Sequence, residues 1–162
     1  MQASLEAIQH FLAHKRIAMV GVSRDPKHFS AYLFRELSKR GFDVVPVNPH
    51  VKAIYDKACF ARVQDVQPPV EAALLMTAAE TTDVIVRDCD AAGVRLVWMY
   101  RANGQGAVSE KAIQFCWERG IQVVPGECPL MFLAGAGPIH RVHGWIRRIT
   151  GRYPRSSIRQ AA

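Results

Sequence analysis

An α/β fold built on a doubly wound parallel sheet of about five strands is predicted by three observations. The segment Ile17-Ala18-Met19-Val20-Gly21-Val22-Ser23-Arg24-Asp25-Pro26 opens as an apolar run suited to a strand buried on both faces. It then breaks into a glycine, a hydroxyl and a turn, and a helical pattern follows. Segments 41–46, 93–98 and 120–125 share one layout: glycine, an apolar residue, a polar residue, two apolar residues, then a bulky or rigid one. Each follows a helical pattern, and a helix closed by glycine that re-enters a buried strand is what successive βα units produce. Strands joined by helices run parallel with right-handed crossovers, so the expected strand order is 3-2-1-4-5, with a ligand crevice at the carboxyl ends of strands 1 and 4.

The elements follow in order. Ser4 is placed to cap a leading helix whose stripe is Leu5, Ile8, Phe11 and Leu12, expected to pack at the sheet edge. Residues 29–40 form the next helix, with Tyr32, Leu33, Phe34 and Leu37 inward. Lys39 and Arg40 suit the negative end of its dipole, and Gly41 suits its left-handed cap. A strand at 71–76 follows the turn signal Gln67-Pro68-Pro69. A helix over 82–92 carries Ile85, Cys89 and Ala92, and Ser109 caps another whose face is Ala112, Ile113, Cys116 and Trp117. Residues 139–150 read as a basic amphipathic helix: Val142, Trp145, Ile146 and Ile149 make the stripe, Arg141, Arg147 and Arg148 flank it, and Gly151 stops it.

Composition bounds the function. The 162 residues make one domain, able to bury roughly two-thirds of its unfolded surface without disulfides or metal. Residues 1–137 are read as its body and 138–162 as an extension of it. Cys59, Cys89, Cys116 and Cys128 contain no CxxC pair, which suits reduced thiols in the cytoplasm. No stretch approaches the ~20 apolar residues of a membrane span, and residues 1–16 lack the apolar segment of a signal peptide. Six arginines and no acids fall in 138–162, so the net charge of +7 belongs to that extension and the body is nearly neutral. The basic helix is expected to pack on its own domain or at a homodimer interface, with an anionic membrane or nucleic acid as the alternative. His140 and His143 are spaced like two metal ligands, but no Cys, Asp or Glu stands beside them, so no metal site is expected. No Ser/His/Asp, HExxH or paired-carboxylate motif is present.

The strand ends supply the ligand candidates. The first loop offers Gly21, Val22, Ser23, Arg24, Pro26 and Lys27; the second strand ends at Asn48 and Pro49. Thr77 closes the third strand, Tyr100 and Arg101 the fourth, and Cys128 stands beyond the fifth. Gly21 lets backbone approach a phosphate, Ser23 donates a hydrogen bond, and Arg24 and Lys27 supply countercharge. The loop is not GxGxxG, since Ser23 replaces the second glycine, and Asn48 stands where an acid would hold the ribose of NAD. Both departures disfavour NAD and leave NADP or the 3′-phosphorylated adenosine of coenzyme A.

Gly21-Val-Ser23-Arg-Asp-Pro26, the run from Gly41 through Asn48-Pro49, and Gly126-Glu-Cys128-Pro129 together resemble the small stand-alone CoA-binding domain proteins. These are similar to the Rossmann-like N-terminal domain of the succinyl-CoA synthetase alpha subunit. The resemblance covers about residues 10–130. It implies that Gly21, Ser23, Arg24 and Pro26 shape the phosphate loop, that Asn48-Pro49 borders the adenosine, and that coenzyme A or an acyl-CoA is the ligand. Lys27-His28-Phe29 departs from the small, Gly- and Pro-containing segment expected there. The resemblance brings no catalytic residue, because the phosphorylated histidine of such synthetases lies in a second domain. Non-catalytic binding is therefore the expected function. An NADP-dependent oxidoreductase using Tyr100 or Cys128, or an interaction module acting through the arginine-rich helix, is the alternative. Cys128 has two readings: a thiol poised for a mixed disulfide with the coenzyme, or a turn residue packed in the core.

Overall fold

The computed structural model describes residues 3–102 and 104–133. In chain order they form α1 (Leu5–Ala13), β1 (Arg16–Val20), α2 (Phe29–Lys39), β2 (Asp43–Val47), the short hairpin β3 (Ala53–Ile54) and β4 (Lys57–Ala58), and a 3-10 turn at Val63–Asp65. Then come β5 (Ala72–Leu75), α3 (Ala79–Ala91), β6 (Leu96–Met99), α4 (Glu110–Glu118), β7 (Gln122–Pro125) and a second 3-10 turn at Pro129–Met131. The expected 138–162 extension, with its basic helix, His140 and His143, lies outside the described residues.

The predicted fold class is the observed one: five parallel strands with helices on both faces. The strand order differs. It is β2-β1-β5-β6-β7, so the third strand of the sheet lies beside β1 and not outside β2. The outer edge of β2 is already occupied, because Phe60 N–H donates to Pro46 O at 3.1 Å and Phe60 O accepts Asn48 N–H at 2.9 Å. With that edge taken, β5 pairs with the open side of β1, and Met76 N–H donates to Val20 O at 2.8 Å. The crevice moves accordingly, from the predicted ends of strands 1 and 4 to the ends of β1 and β5.

Alternation along each strand divides the core into two layers. Ile17 and Met19 face Leu33, Phe34 and Leu37 of α2, whereas Ala18 and Val20 share a cluster with Val86 and Cys89 of α3 and Ile113 and Cys116 of α4. Strands buried on both faces read as continuous apolar runs, which is why they were legible. The leading helix α1 packs over β6 and β7, where the rings of Phe11 and Trp98 meet edge to face with centroids 5.1 Å apart.

Two helix starts match their sequence signals: Ser4 Oγ accepts Ala7 N–H at 3.1 Å and Ser109 Oγ accepts Ala112 N–H at 3.2 Å. Helix α3 starts three residues before the predicted Thr82, since its N-cap, Ala78, offers no side-chain signal. Thr82 lies inside the helix, wholly buried, and donates to Ala107 O at 2.9 Å. The Ser109 hydroxyl also donates to Asp83 Oδ1 at 2.6 Å, and this bond, aided by Lys111, holds the Asp83 carboxyl below the usual range. Ser109→Ala removes both the cap and the link between α3 and α4. It is expected to cost about 1–2 kcal/mol in urea unfolding, while Ser109→Thr retains most of that stability.

Candidate functional site

At their carboxyl ends the adjacent strands β1 and β5 part, β1 leading to a helix on one face and β5 to a helix on the other. A crevice opens between the two loops. Gly21 forms its floor with φ +89°, and its N–H donates to Val47 O at 2.9 Å. A Cβ here would come within 2.9 Å of Thr77 Cγ2 and 3.2 Å of the Met76 carbonyl. Glycine is thus required both by the left-handed backbone and by the close approach of the two strand ends.

On the α3 side the crevice deepens into a cavity of about 540 Å³. Val20, Val47, Val63, Val84 and Ile85 make it apolar, and Asn48, Pro49, His50, Arg62, Thr77 and Asp88 are also on its walls. Asn48 ties two loops together: its Nδ2 donates to Val22 O and its Oδ1 accepts His50 N–H, both at 3.0 Å. An aspartate would lack that donor, so the absent acid after β2 has a structural reason as well as a bearing on the ligand. The guanidinium of Arg62 grips Asp88 of α3 through two bonds, Nη2 to Oδ1 at 2.6 Å and Nε to Oδ2 at 3.2 Å, and the carboxylate raises the pKa of Arg62. Gln64 donates to the same carboxylate at 3.0 Å. The Oγ1 of Thr77 is buried and finds no hydrogen-bond partner among the described residues. A buried hydroxyl of this kind wants a partner, and a ligand can supply it. Arg62, Val84, Ile85 and Asp88 carried no site signal in the sequence, because their loop and helix come together only through the crossover from β2 to β5.

The loop after β1 is closed on itself. Ser23 N–H donates to Ser30 Oγ at 3.0 Å, Asp25 N–H to Ser23 Oγ at 3.1 Å, and Lys27 N–H to Asp25 Oδ1 at 2.9 Å. Arg24, Pro26 and Lys27 are exposed, and Pro26 O accepts from Arg35 Nη2 at 3.3 Å. Val22 sends its side chain into the core. The helix start is capped by His28, from the Lys27-His28-Phe29 segment of the same loop.

The remaining candidates separate. Tyr100 and Cys128 pack at the margin of the α2-side core, where the Tyr100 ring stacks on Phe29 with centroids 5.1 Å apart. Burial, and secondarily the Cys128 sulfur, pushes the Tyr100 hydroxyl up to about 12. Arg101 lines a second hollow of about 420 Å³ with Asp83 and Ser109, and Glu80 borders both this hollow and the large cavity. The Arg101 guanidinium lies over Gly126, where a Cβ would come within 2.7 Å of Nη2. Gly21, Asn48, Pro49 and Thr77 therefore meet at one cavity, whereas Val22, Ser23, Arg24, Pro26, Lys27, Tyr100, Arg101 and Cys128 do not line it.

Burial also pushes the Cys128 thiol up, although the N–H groups of Leu130 and Met131 oppose the shift. Cys89 is raised further, and Cys116 is pushed up to about 12, again by burial. Iodoacetamide at neutral pH is expected to label half-buried Cys59 and Cys128 slowly, and Cys89 and Cys116 only after denaturation. Peptide mass spectrometry reads the order. Among the described residues no group of three or more His, Cys, Asp or Glu side chains could hold a metal, and no helix is long and apolar enough to cross a membrane.

Over residues 15–134 the chain matches the family described as the CoA binding domain. The chain belongs to that family. As a CoA binding domain protein it is similar to YneT of Bacillus subtilis, at 24% identity over 114 residues that cover 70% of this chain and 82% of YneT. Its fold is similar to a hypothetical protein from Pyrococcus horikoshii OT3, with a TM-score of 0.71 and 26% identity over 76% of this chain and 85% of that one. It is also similar to the dinucleotide forming acetyl-coenzyme A synthetase 1 of Ca. Korarchaeum cryptofilum, with a TM-score of 0.61 and 25% identity. That match covers 69% of this chain and 26% of the longer enzyme.

Proposed function

We propose that this protein binds coenzyme A or an acyl-CoA without transforming it, in the cytoplasm. The adenosine occupies the cavity beside Gly21, Asn48, Pro49 and Thr77, and the diphosphate lies against the loop after β1. The observation that carries the reading is the apolar cavity of about 540 Å³ at the crevice between β1 and β5, in a chain of the CoA binding domain family. Two further features support it. Arg24 and Lys27 are exposed in the loop that follows Gly21, and such side chains can meet phosphate charge. The unpartnered Thr77 hydroxyl offers a hydrogen bond to the ligand. The reading assigns no bond-making residue; burial raises both the Tyr100 hydroxyl and the Cys128 thiol.

Calorimetry with coenzyme A, NAD and NADP tests the ligand. The expected result is a dissociation constant on the order of 10 μM for coenzyme A, with both dinucleotides at least about tenfold weaker. Incubation with acetyl-CoA is expected to return it unchanged. No coenzyme A binding at millimolar concentration would sink the reading, and preferential NADP binding would replace it with the oxidoreductase.

A further inference from the structure

The two edges of the sheet are finished differently. Phe60 closes the outer side of β2, whereas among the described residues no strand pairs with β7 on the side away from β6. The N–H groups of Gln122 and Gly126 go to Arg95 O and Met99 O, at 2.9 and 2.8 Å, so alternation turns the backbone groups of Val123 outward. Helices α1 and α4 both pack on β7, one from each face of the sheet. On α4 the ring of Phe115 meets Arg87 of α3, and Ala112, Ile113 and Cys116 face the sheet. At 100° per residue Trp117 falls on the opposite flank from Phe115, away from α3 and toward the β7 edge. It is 51% exposed. The other large exposed apolar side chains are accounted for: Tyr32 rests on Phe29, Tyr55 on Phe34, and Val84 lines the cavity. Two acids border the same edge. Glu6 is exposed one turn before His10, whose Nδ1 lies 3.0 Å from Gln122 Oε1, and Glu118 is exposed at the end of α4. Neither carboxylate pairs with a base among the described residues.

The described chain stops close by. Phe132 and Leu133 pack against the core cluster that holds Phe11 of α1, and the Phe132 ring lies 6.2 Å from that of Trp98, so the chain leaves beside α1 and β6. Ala134-Gly-Ala-Gly-Pro138 follows, five residues that reach at most about 17 Å. Beyond it, and outside the described residues, Val142, Trp145, Ile146 and Ile149 are spaced to share one side of a helix, which Arg141 and Arg148 border. We propose that residues 139–150 dock as a helix along the β7 edge of their own chain, with the apolar stripe on Trp117 and the arginines toward Glu6 and Glu118. A helix laid over a strand edge is one way in which proteins shield unpaired backbone groups. Charge complements it: the extension from 138 onward carries six arginines and no acid, and a cation is favoured at the negative end of α4. The short tether holds the segment at an effective concentration near millimolar, which favours its own chain over a second copy. This docking does not depend on the coenzyme A reading.

Benzoylphenylalanine incorporated at position 117 of the full chain cross-links under light to whatever covers it. The expected product is monomer-sized on a denaturing gel, and peptide mass spectrometry places the adduct within residues 139–150. A dimer-sized product would assign the edge to a second copy, and a monomer without an adduct in 139–150 would leave Trp117 uncovered; either result overturns the proposal. Limited trypsin digestion gives a second reading, because the segment carries its own cleavage sites at Arg141, Arg147 and Arg148. Cleavage there is expected to run about tenfold faster in Trp117→Glu, and in the double variant Glu6→Lys with Glu118→Lys, than in the wild type. Circular dichroism is expected to show an intact fold in both, since all three side chains are exposed. Equal cleavage rates in the three proteins overturn the docking.

Discussion

Gly21→Val is expected to abolish coenzyme binding, lowering affinity by about a hundredfold or more, and to destabilise the fold by about 2–4 kcal/mol. Two physical terms add. The residue sits at φ +89°, where a side chain costs about 1–2 kcal/mol, most for a β-branched one. The new Cβ would also lie 2.9 Å from Thr77 Cγ2 and 3.2 Å from the Met76 carbonyl, so the ends of β1 and β5 must separate. Those ends form the floor of the proposed site, and their movement disturbs the cavity before any ligand arrives. The side chain of Thr77 yields more easily than the Met76 backbone. Thr77→Ser removes the methyl group nearest the clash, and is expected to restore part of the stability lost in Gly21→Ala. Urea unfolding measures the stability and calorimetry the binding. Unchanged affinity in a folded Gly21→Val protein would remove Gly21 from the site.

The largest loss of stability is expected from Trp98→Ala, about 3–5 kcal/mol. Trp98 is wholly buried between Phe11 of α1 and Phe132, and its Nε1–H donates to Glu127 O at 2.8 Å. One side chain therefore secures the leading helix to the sheet and anchors the loop after β7. Trp98→Phe keeps most of the packing and loses the hydrogen bond, so it is expected to cost about 1–2 kcal/mol. In that variant the 126–129 loop loosens, and Cys128 is expected to alkylate faster than in the wild type. A shift in the urea midpoint at constant slope reads the stability, and a slope that changes would point to an altered unfolded or native state instead.

These two positions differ in how much local sequence can carry. Gly21 was legible because an apolar strand that breaks on a glycine ahead of a helix is itself the local mark of a βα turn. Trp98 was legible as a strand residue, but its bond to a carbonyl 29 positions away was not. Asn48 was read as a ligand-selecting residue, and it also ties the loop after β2 to Val22 O. His28 looked like an intrusive bulky residue, and it is the cap of α2. Arg62 and Asp88 carried no signal at all, because a charge pair 26 positions apart is visible only once the crossover brings loop and helix together.

The fold class, the strands buried on both faces, the serine caps of α1 and α4 and the glycine that closes β1 were all present in the amino-acid order. Each depends on hydrophobic period, capping chemistry or backbone freedom, which act within a few residues. The strand order, the place of the crevice and the walls of the cavity were decided in three dimensions. They turn on which edge of a strand is still open when the next one arrives. Phe60 closes the outer edge of β2, sends β5 to β1, and so brings Thr77 against Gly21.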